Sequence, residues 1–314
     1  MRGLVPDIAA AVVIAAFFFV CLPLAFGQDE DTYIELTPYV QVQILLDQAG
    51  FSPGEIDGRS GYNTLKAIKA FQKIRGLPLT GVGDEETMEA LGAGRNELLV
   101  EYTITPEDVN GPFVEIPSGF MEKARLENLP YSSVEEAIAE KFHISPELLL
   151  ELNPETPFIE GEMIVVPNVR KDLPVIRGGQ ITVTVNGSTS ELIVRLNGHV
   201  IFYAPISHGG EKGPLPIGKR KIKAIMKNPH YKYNPKLFWD AKPGDSPALL
   251  PPGPNNPVGK VWIALNVRHY GLHGTPEPSS IGYSNSHGCI RLTNWDAQRL
   301  AGIVKPGTEV HFKE

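Results

Sequence analysis

The stretch YSNSHGCIRL, residues 283–292, places a cysteine between a histidine and an arginine. His287 lies two residues before Cys289, Arg291 lies two residues after it, and a second histidine, His273, lies sixteen residues before it. A cysteine attacks as the thiolate, so it needs a base within hydrogen-bond distance or a positive charge that lowers its pKa. Both are present here, and the stretch therefore predicts nucleophilic catalysis by Cys289.

Two further residues of this stretch suit acyl transfer. Gly288 lets the backbone turn sharply, and we expect the amide N–H groups of Gly288 and Cys289 to converge on the oxyanion of a tetrahedral intermediate. We expect the hydroxyl of Ser286 to donate a supporting hydrogen bond. An inert buried cysteine is the ordinary alternative, but the polar residues around Cys289 argue against it.

A zinc site is a second alternative for the same side chains. His269, His273, His287 and Cys289 offer four ligands of the types that zinc prefers. Zinc ligands at such short spacing usually come from a helix or a knuckle, and the glycines that follow two of these histidines argue against a helix. We therefore expect neither a metal nor another cofactor.

The N-terminus indicates export. An uncharged run over residues 8–27 ends in Ala25-Phe26-Gly27, which supplies small residues at the two positions that a signal peptidase reads. This predicts a signal peptide over residues 1–27 and secretion across the inner membrane to the periplasm or cell wall. Its cleavage removes Cys21 and leaves Cys289 as the cysteine of the mature chain. An uncleaved membrane anchor is the alternative, since the run is about long enough to span a bilayer.

Length and charge limit the classes of protein that the chain can belong to. A chain of 314 residues predicts two or three domains, each able to bury a core. Residues 178–314 hold 16 Lys and Arg against 8 Asp and Glu, whereas residues 28–177 hold 12 against 27. The basic part suits an anionic ligand. Nucleic acid is not an expected partner, because the basic residues are scattered and no base-reading module is recognisable.

The candidate catalytic residues lie in a part of the chain that has the period of β-strands. Residues 181–207 alternate between polar and apolar, and residues 219–227 and 261–274 continue the pattern. Between these two, residues 242–257 are rich in Pro and Gly, which predicts an irregular loop that covers a site. We expect a mostly-β domain over residues 178–314, with its active residues on loops at a sheet edge.

The string HGTPEPSSIGYSNSHGCIR closely resembles the signature of the L,D-transpeptidase catalytic domain of the YkuD type, a histidine followed by a spacer and Ser/Thr-His-Gly-Cys. The resemblance implies that Cys289 is the nucleophile and that His273 accepts and donates the proton. It also implies that the backbone carbonyl of Gly274 orients the imidazole. His287 would then shape the loop and support the thiolate, and Arg291 would support the thiolate or a substrate carboxylate.

The same resemblance implies a reaction. Cys289 would attack the L,D peptide bond of a peptidoglycan tetrapeptide stem, release the terminal D-alanine and hold the stem as a thioester. The acceptor would be a diaminopimelate of another stem, a lysine of a wall-anchored lipoprotein, or water, which would make the protein an L,D-carboxypeptidase. The sequence leaves these acceptors open. A non-catalytic scaffold that binds the cell wall is the alternative from another class, and the intact Ser-His-Gly-Cys string argues against it.

Residues 37–92 have the pattern of a small all-α module. Val42, Leu45, Leu46 and Ala49 recur at helical spacing, a second helix follows, and a third, short helix begins with acidic residues. The string GFSPGEIDGRSGYNTLKAIKAFQKIRGLPLTG closely resembles the peptidoglycan-binding domain that is often attached to cell-wall hydrolases. The resemblance implies glycan strands of peptidoglycan as a partner.

Residues 101–168 combine helical and strand patterns. Two short helical patterns precede the strand-like GEMIVVPNV, and Tyr102-Thr103-Ile104 is a candidate first strand. The segment resembles a LysM module of α+β fold, with an insertion before Ser133. The resemblance implies binding of N-acetylglucosamine chains, and a structural spacer is the alternative. We interpret His143 as a packed or surface histidine rather than a ligand.

Overall fold

The computed structural model describes residues 21–23, 33–169, 178–209, 213–238, 241–284 and 288–314. None of the helices in these ranges has the length and apolar character needed to cross a bilayer. Most of the predicted signal peptide lies outside the described residues. Its residues Cys21–Pro23 form β1, which pairs with β2 (Tyr33–Glu35) in an antiparallel arrangement.

Three helices form in the first segment, residues 37–92, as the sequence predicts. They are α1 (Pro38–Gln48), α2 (Tyr62–Arg75) and α3 (Glu85–Leu91). The hydroxyl of Thr37 caps α1 by accepting from the amide of Val40, and the carboxylate of Asp84 caps α3 in the same way through Thr87. Gly76 ends α2 in the left-handed conformation, which glycine adopts without strain.

The middle segment, residues 101–168, lies between two strands that pair with each other. Strand β3 (Leu99–Thr103) is antiparallel to β4 (Met163–Pro167), and it begins three residues before the predicted strand. Between them lie four short helices: α4 (Pro106–Val109), α5 (Phe120–Lys123), α6 (Val134–Lys141) and α7 (Pro146–Leu152). We use "the insertion" for residues 104–132, which contain α4 and α5.

The first and middle segments share one hydrophobic core, although the sequence predicted a core for each domain. Leu45, Phe71, Ile138 and Val166 belong to the same cluster, and all four side chains are buried. The reason lies in α1, where every residue from Val40 to Asp47 is buried. A helix that is buried all round needs neighbours on more than one side, and the middle segment supplies them.

The third segment, residues 178–314, is mostly β, as predicted. Its eight-stranded sheet has the order β13-β12-β11-β8-β14-β5-β6-β7. The strands are β5 (Ile181–Asn186), β6 (Glu191–Leu196), β7 (His199–Pro205), β8 (Gly218–Lys227), β11 (Val261–Leu265), β12 (Gly271–His273), β13 (Ile290–Arg291) and β14 (Glu309–Lys313). Helix α8 (Asn294–Ile303) packs against β11 and β12 and buries Leu300 in the core of this segment. The pair β12 and β13 lies at one edge of the sheet, where the active residues were expected.

The third segment also contains a two-stranded sheet, which packs against the insertion. Strand β9 (Tyr231–Tyr233) pairs with β10 (Ala248–Leu250), so the predicted loop over residues 242–257 contains a strand. The prolines and glycines of that loop flank the Ala-Leu-Leu triplet without interrupting it, which leaves its backbone able to pair. We call β9 and β10 the hairpin sheet.

Candidate active site

Parallel pairing of β12 with β13 brings the predicted base and nucleophile together. Leu272 is the partner of Ile290, and His273 is the partner of Arg291. Cys289 directly precedes β13, so its side chain lies at the start of the strand that runs beside His273. Residues that are sixteen positions apart in the chain therefore become neighbours across one strand pair.

The Cys289 thiol lies half-buried at this edge. Its Sγ is 3.5 Å from the carbonyl oxygen of His269. Burial raises the pKa of the thiol to about 11, although a backbone hydrogen bond from Gly271 and the charge of Arg291 act to lower it. These described neighbours therefore keep the sulfur protonated at neutral pH, and attack on a carbonyl needs a base that removes the proton.

The His273 imidazole has the geometry of such a base. Its Nδ1 is 2.6 Å from the backbone oxygen of Gly274, and its ring stacks on Trp262 with the centroids 5.4 Å apart. Because a carbonyl oxygen only accepts hydrogen bonds, Nδ1 carries the proton and Nε2 is left as the acceptor. Burial lowers the pKa of His273 to about 4, the charge of Arg291 adds to this shift, and the Gly274 hydrogen bond opposes it. The imidazole is therefore neutral at physiological pH.

Arg291 places a cation beside both groups. Its backbone exchanges two hydrogen bonds with Ser207, of 3.1 and 2.9 Å, which fix the end of β13. Burial lowers the pKa of the guanidinium, and the charges of Glu277, Cys289 and Tyr231 oppose that shift. A partly buried guanidinium at this position suits an anionic group of a substrate.

The backbone at Gly288 requires glycine. Its φ is 122°, a value that side chains of L-residues rarely adopt. A Cβ at Gly288 would lie 3.6 Å from the ring of Tyr270, so the conformation, rather than space, excludes other residues. The sharp turn predicted at Gly288 is present.

Two of the predicted site residues, Ser286 and His287, lie outside the described residues. The four zinc ligands of the alternative interpretation include His287, so that set is only partly described. Among the described residues, no group of three or more His, Cys, Asp and Glu side chains could hold a metal ion. His143 is buried, and its Nδ1 is 3.0 Å from Oδ2 of Asp47, so it is packed, as we interpreted it.

One side of this site was not predicted from the sequence. The insertion and the hairpin sheet form it together. Phe120 of α5 stacks on Tyr233, with ring centroids 4.3 Å apart, and lies 6.2 Å from the ring of Tyr231. Burial raises the pKa of Tyr231, the charge of Cys289 adds to that shift, and the charge of Arg291 opposes it. Tyr231 therefore lies within electrostatic range of the nucleophile and reaches the site as a neutral phenol.

The insertion also brings a charged side chain towards the loop that follows His273. Burial lowers the pKa of Lys123, and the carboxylate of Glu277 opposes that shift. The backbone fixes the insertion in place, because the amide of Leu129 donates to the oxygen of Pro252 over 2.8 Å. No short motif marks Lys123 and Leu129, since they lie in the insertion and not in the segment that carries Cys289.

A second candidate site lies in the first segment. A cleft of about 680 Å³ opens between α1, α2 and the loop before α3, and its lining is mainly apolar. Tyr39, Val42, Tyr62, Leu65, Val82 and Met88 are among its lining residues. Its size and apolar character are typical of ligand-binding clefts.

Comparisons with known proteins match both sites to families. Residues 180–312 match the family model described as "L,D-transpeptidase catalytic domain", and residues 37–91 match "Putative peptidoglycan binding domain". The "Putative L,D-transpeptidase YkuD" of Bacillus licheniformis is 32% identical over 178 residues, which cover 56% of this chain and 90% of that protein. The protein of the same name from Bacillus subtilis is 32% identical over 176 residues, or 55% of this chain and 90% of that protein.

Among solved structures, L,D-transpeptidase 3 from Mycobacterium tuberculosis is similar at 16% identity and a TM-score of 0.37, covering 51% of this chain and 78% of that chain. At that score the likeness adds nothing to the assignment. The match to the two Bacillus proteins spans nearly their whole length. The chain therefore belongs to the L,D-transpeptidase family.

Proposed function

We propose that this L,D-transpeptidase uses Cys289 as its nucleophile and His273 as its base. The observation that carries the proposal is the 2.6 Å contact between Nδ1 of His273 and the Gly274 carbonyl, at a position paired with the strand that follows Cys289. This contact holds the proton on Nδ1 and leaves Nε2 as the nitrogen that accepts a proton. A neutral thiol beside a neutral imidazole is the starting state of general base catalysis.

In the proposed donor step, Cys289 attacks the L,D peptide bond of a peptidoglycan tetrapeptide stem. The thiol proton passes to Nε2 of His273 as the S–C bond forms. The amide N–H groups of Gly288 and Cys289 stabilise the oxyanion, and Arg291 binds a substrate carboxylate. His273 then returns the proton to the leaving amine, so the C–N bond breaks, D-alanine departs and a thioester remains.

In the proposed acceptor step, an amine attacks the thioester carbonyl. His273 takes the proton from the amine and returns it to the sulfur of Cys289, which restores the free enzyme. Peptidoglycan is the substrate that both matched domains imply, and the protein acts at the cell wall or in the periplasm. A diaminopimelate amine gives a cross-link, a lipoprotein lysine gives an anchored protein, and water gives carboxypeptidase activity. Mass analysis of muropeptides after incubation with tetrapeptide-bearing wall distinguishes these products.

Acylation by a carbapenem tests the nucleophile and the base directly. We expect the mass of the drug on a peptide that contains Cys289, and no adduct in Cys289→Ala. In His273→Ala we expect acylation to slow by about 10²-fold or more, the usual scale for loss of a general base. Intact-protein mass spectrometry at timed intervals measures both effects.

His311→Ala is a matched control, because His311 lies on β14 and pairs with Glu309. We expect its acylation rate to equal that of the wild type. An adduct on another residue would refute the assignment of Cys289, and an undiminished rate in His273→Ala would refute the assignment of the base.

A further inference from the structure

The peptidoglycan-binding domain touches the loop that leads to Cys289. Nδ2 of Asn63, in the first turn of α2, donates to the backbone oxygen of Ile281 over 2.8 Å. The amide of Tyr62 lies 3.2 Å from the hydroxyl of Tyr283, which precedes Cys289 by six residues. The start of α2 therefore supports this loop directly.

These contacts fix residues 281–283 of the loop. Gly282, between the two contacts, has a φ of 84°, and a Cβ there would lie 2.3 Å from Oδ1 of Asn63. Its amide donates to the hydroxyl of Ser207 over 2.9 Å, and the backbone of Ser207 pairs with Arg291. A short chain of hydrogen bonds thus joins the binding domain to the strand that carries the catalytic cation.

The cleft of the binding domain ends at the same contact. Gly61 and Tyr62, which approach Tyr283, are also lining residues of the 680 Å³ cleft. The cleft and the catalytic loop therefore share a border, at which two tyrosines, Tyr62 and Tyr283, lie.

Both border tyrosines are unusually exposed. Tyr62 is 56% exposed and Tyr283 is 63% exposed, whereas large aromatic side chains are mostly buried. The ammonium of Lys66 lies 4.8 Å from the centre of the Tyr62 ring and helps to hold it. Exposed aromatic faces suit the apolar C–H faces of sugar rings, because both surfaces leave water on contact.

We propose that the cleft and the catalytic centre form one extended substrate site, in which Tyr62 and Tyr283 hold the glycan strand whose stem Cys289 attacks. The inference rests on the proposed function and adds the feature that selects the substrate. The occupant is a glycan strand, because the border is continuous with the loop of the nucleophile and offers aromatic faces. Recognition by the binding domain is then coupled to catalysis on the same strand.

Turnover of substrates of different length tests the proposal in the full chain. The substrates are a sugar-free tetrapeptide stem and a soluble strand of several disaccharide units that carry tetrapeptide stems. We expect the wild type to have a higher kcat/KM for release of D-alanine from the strand than from the free stem. In Tyr62→Ala and in Tyr283→Ala, we expect the ratio of the two kcat/KM values to fall by about tenfold, which corresponds to about 1.4 kcal/mol.

Two variants act as controls. Tyr62→Phe keeps the ring and should keep the ratio. Ile159→Ala removes an equally exposed side chain, 55% exposed, from the middle segment and should leave the ratio unchanged. Should Tyr62→Ala fail to fold, Tyr62→Leu keeps the volume without the aromatic face and should lower the ratio.

The remaining outcomes separate this inference from the proposed function. A wild-type ratio of one, an unchanged ratio in both alanine variants, or an equal loss on both substrates would overturn the extended site. Absence of turnover of either substrate by the wild type, with no adduct on Cys289, would overturn the proposed function itself.

Discussion

The thiol of Cys289 and the imidazole of His273 both lie in their neutral forms at physiological pH. Burial raises the pKa of the thiol to about 11 and lowers the pKa of the imidazole to about 4. A preformed thiolate–imidazolium pair would need the opposite order of the two pKa values. In the proposed mechanism, the proton therefore passes from the thiol to the imidazole as the sulfur attacks the carbonyl.

This order of pKa values predicts a broad plateau in the pH profile of acylation. His273 accepts a proton only while it is neutral, so we expect the carbapenem acylation rate to be constant from about pH 5.5 to pH 9. The rate should fall as pH drops through about 4, where the imidazole gains a proton. Thermal unfolding at each pH controls for loss of the fold in acid.

Alkylation of the thiol by iodoacetamide provides an independent measure. The alkylation rate follows the thiolate fraction and should rise with pH up to about 11. An inflection below pH 7 would contradict the neutral pair and indicate a resting thiolate.

Most residues of the candidate active site could be predicted, because they lie in one short stretch of the sequence. Cys289, His273, Gly274, Gly288 and Arg291 fall within nineteen residues, and one strand pair brings them together. Tyr231 and Lys123 could not be predicted, because they come from the hairpin sheet and the insertion. Only the tertiary packing of those elements places Tyr231 within electrostatic range of Cys289 and Lys123 within range of Glu277.

At the scale of elements, the insertion acts on the active site through the hairpin sheet. Its apolar side chains meet the hairpin sheet in a separate cluster, in which Leu129, Tyr233 and Leu250 are buried. The insertion thus supports the sheet that presents Tyr231 to Cys289. Loss of that support should change catalysis without touching a reacting group.

Phe120→Ala should reduce both stability and acylation. Phe120 is half-buried and stacks on Tyr233, so we expect a loss of about 2 kcal/mol, below the range for a fully buried phenylalanine. Displacement of Tyr231 should slow carbapenem acylation by about tenfold. Urea denaturation and timed mass spectrometry measure the two effects.

Phe113→Ala tests whether any truncation in the insertion has the same result. Phe113 is also half-buried in the insertion, so its variant should lower stability but leave acylation close to that of the wild type. Equal slowing of acylation in both variants would argue against a specific role of Phe120. Phe120→Leu should recover part of the rate.

Regular elements with clear periodicity were predictable, and elements that depend on a distant partner were not. The three helices of the first segment and the hairpin strands β5 to β7 follow from their patterns. Strand β10 has three residues among prolines and glycines, and its only sequence signal is an apolar triplet. It becomes a strand because β9 and the insertion cover it.

For the whole molecule, a buried charge cluster joins all three segments. The guanidinium of Arg299 on α8 donates two hydrogen bonds of 2.8 Å to the carboxylate of Asp47 on α1. His143 of the middle segment contacts the same carboxylate and stacks on Trp295. Burial alone would raise the pKa of Asp47, but Arg299 and His143 lower it well below its usual range.

Arg299→Ala should destabilise the full chain by about 3–5 kcal/mol, because it leaves the buried carboxylate of Asp47 without its main counter-charge. Urea denaturation measures the loss, and we expect a single transition for all three segments. The double variant Asp47→Leu with Arg299→Met removes both charges and should recover most of the stability.

The exposed pair of Glu309 and His311, with atoms 3.0 Å apart, supplies the control for charge alone. Glu309→Gln should leave the unfolding midpoint nearly unchanged. A similar loss of stability in Arg299→Ala and Glu309→Gln would show that the buried charge cluster contributes no more to stability than the pair of Glu309 and His311.

The arrangement of the segments could not be predicted from the sequence, although the identities of the first and third segments could. Local strings identify the peptidoglycan-binding domain and the catalytic domain, and the resemblance of the middle segment to a LysM module stays a prediction. The joint core of the first two segments and the Asp47–Arg299 pair depend on residues separated by up to 252 positions. Such pairs carry no local pattern, since each residue looks ordinary in its own helix.

The position of β14 limits the order in which the strands of the large sheet can pair. β14 lies between β8 and β5, yet its residues, Glu309–Lys313, are synthesised after all the other strands. Until they emerge, β8 and β5 have no strand between them, and the two halves of the sheet meet through the backbone pair of Ser207 and Arg291. The C-terminal strand therefore completes the sheet last, and we expect a chain that ends before Glu309 to leave the edges of β8 and β5 unpaired.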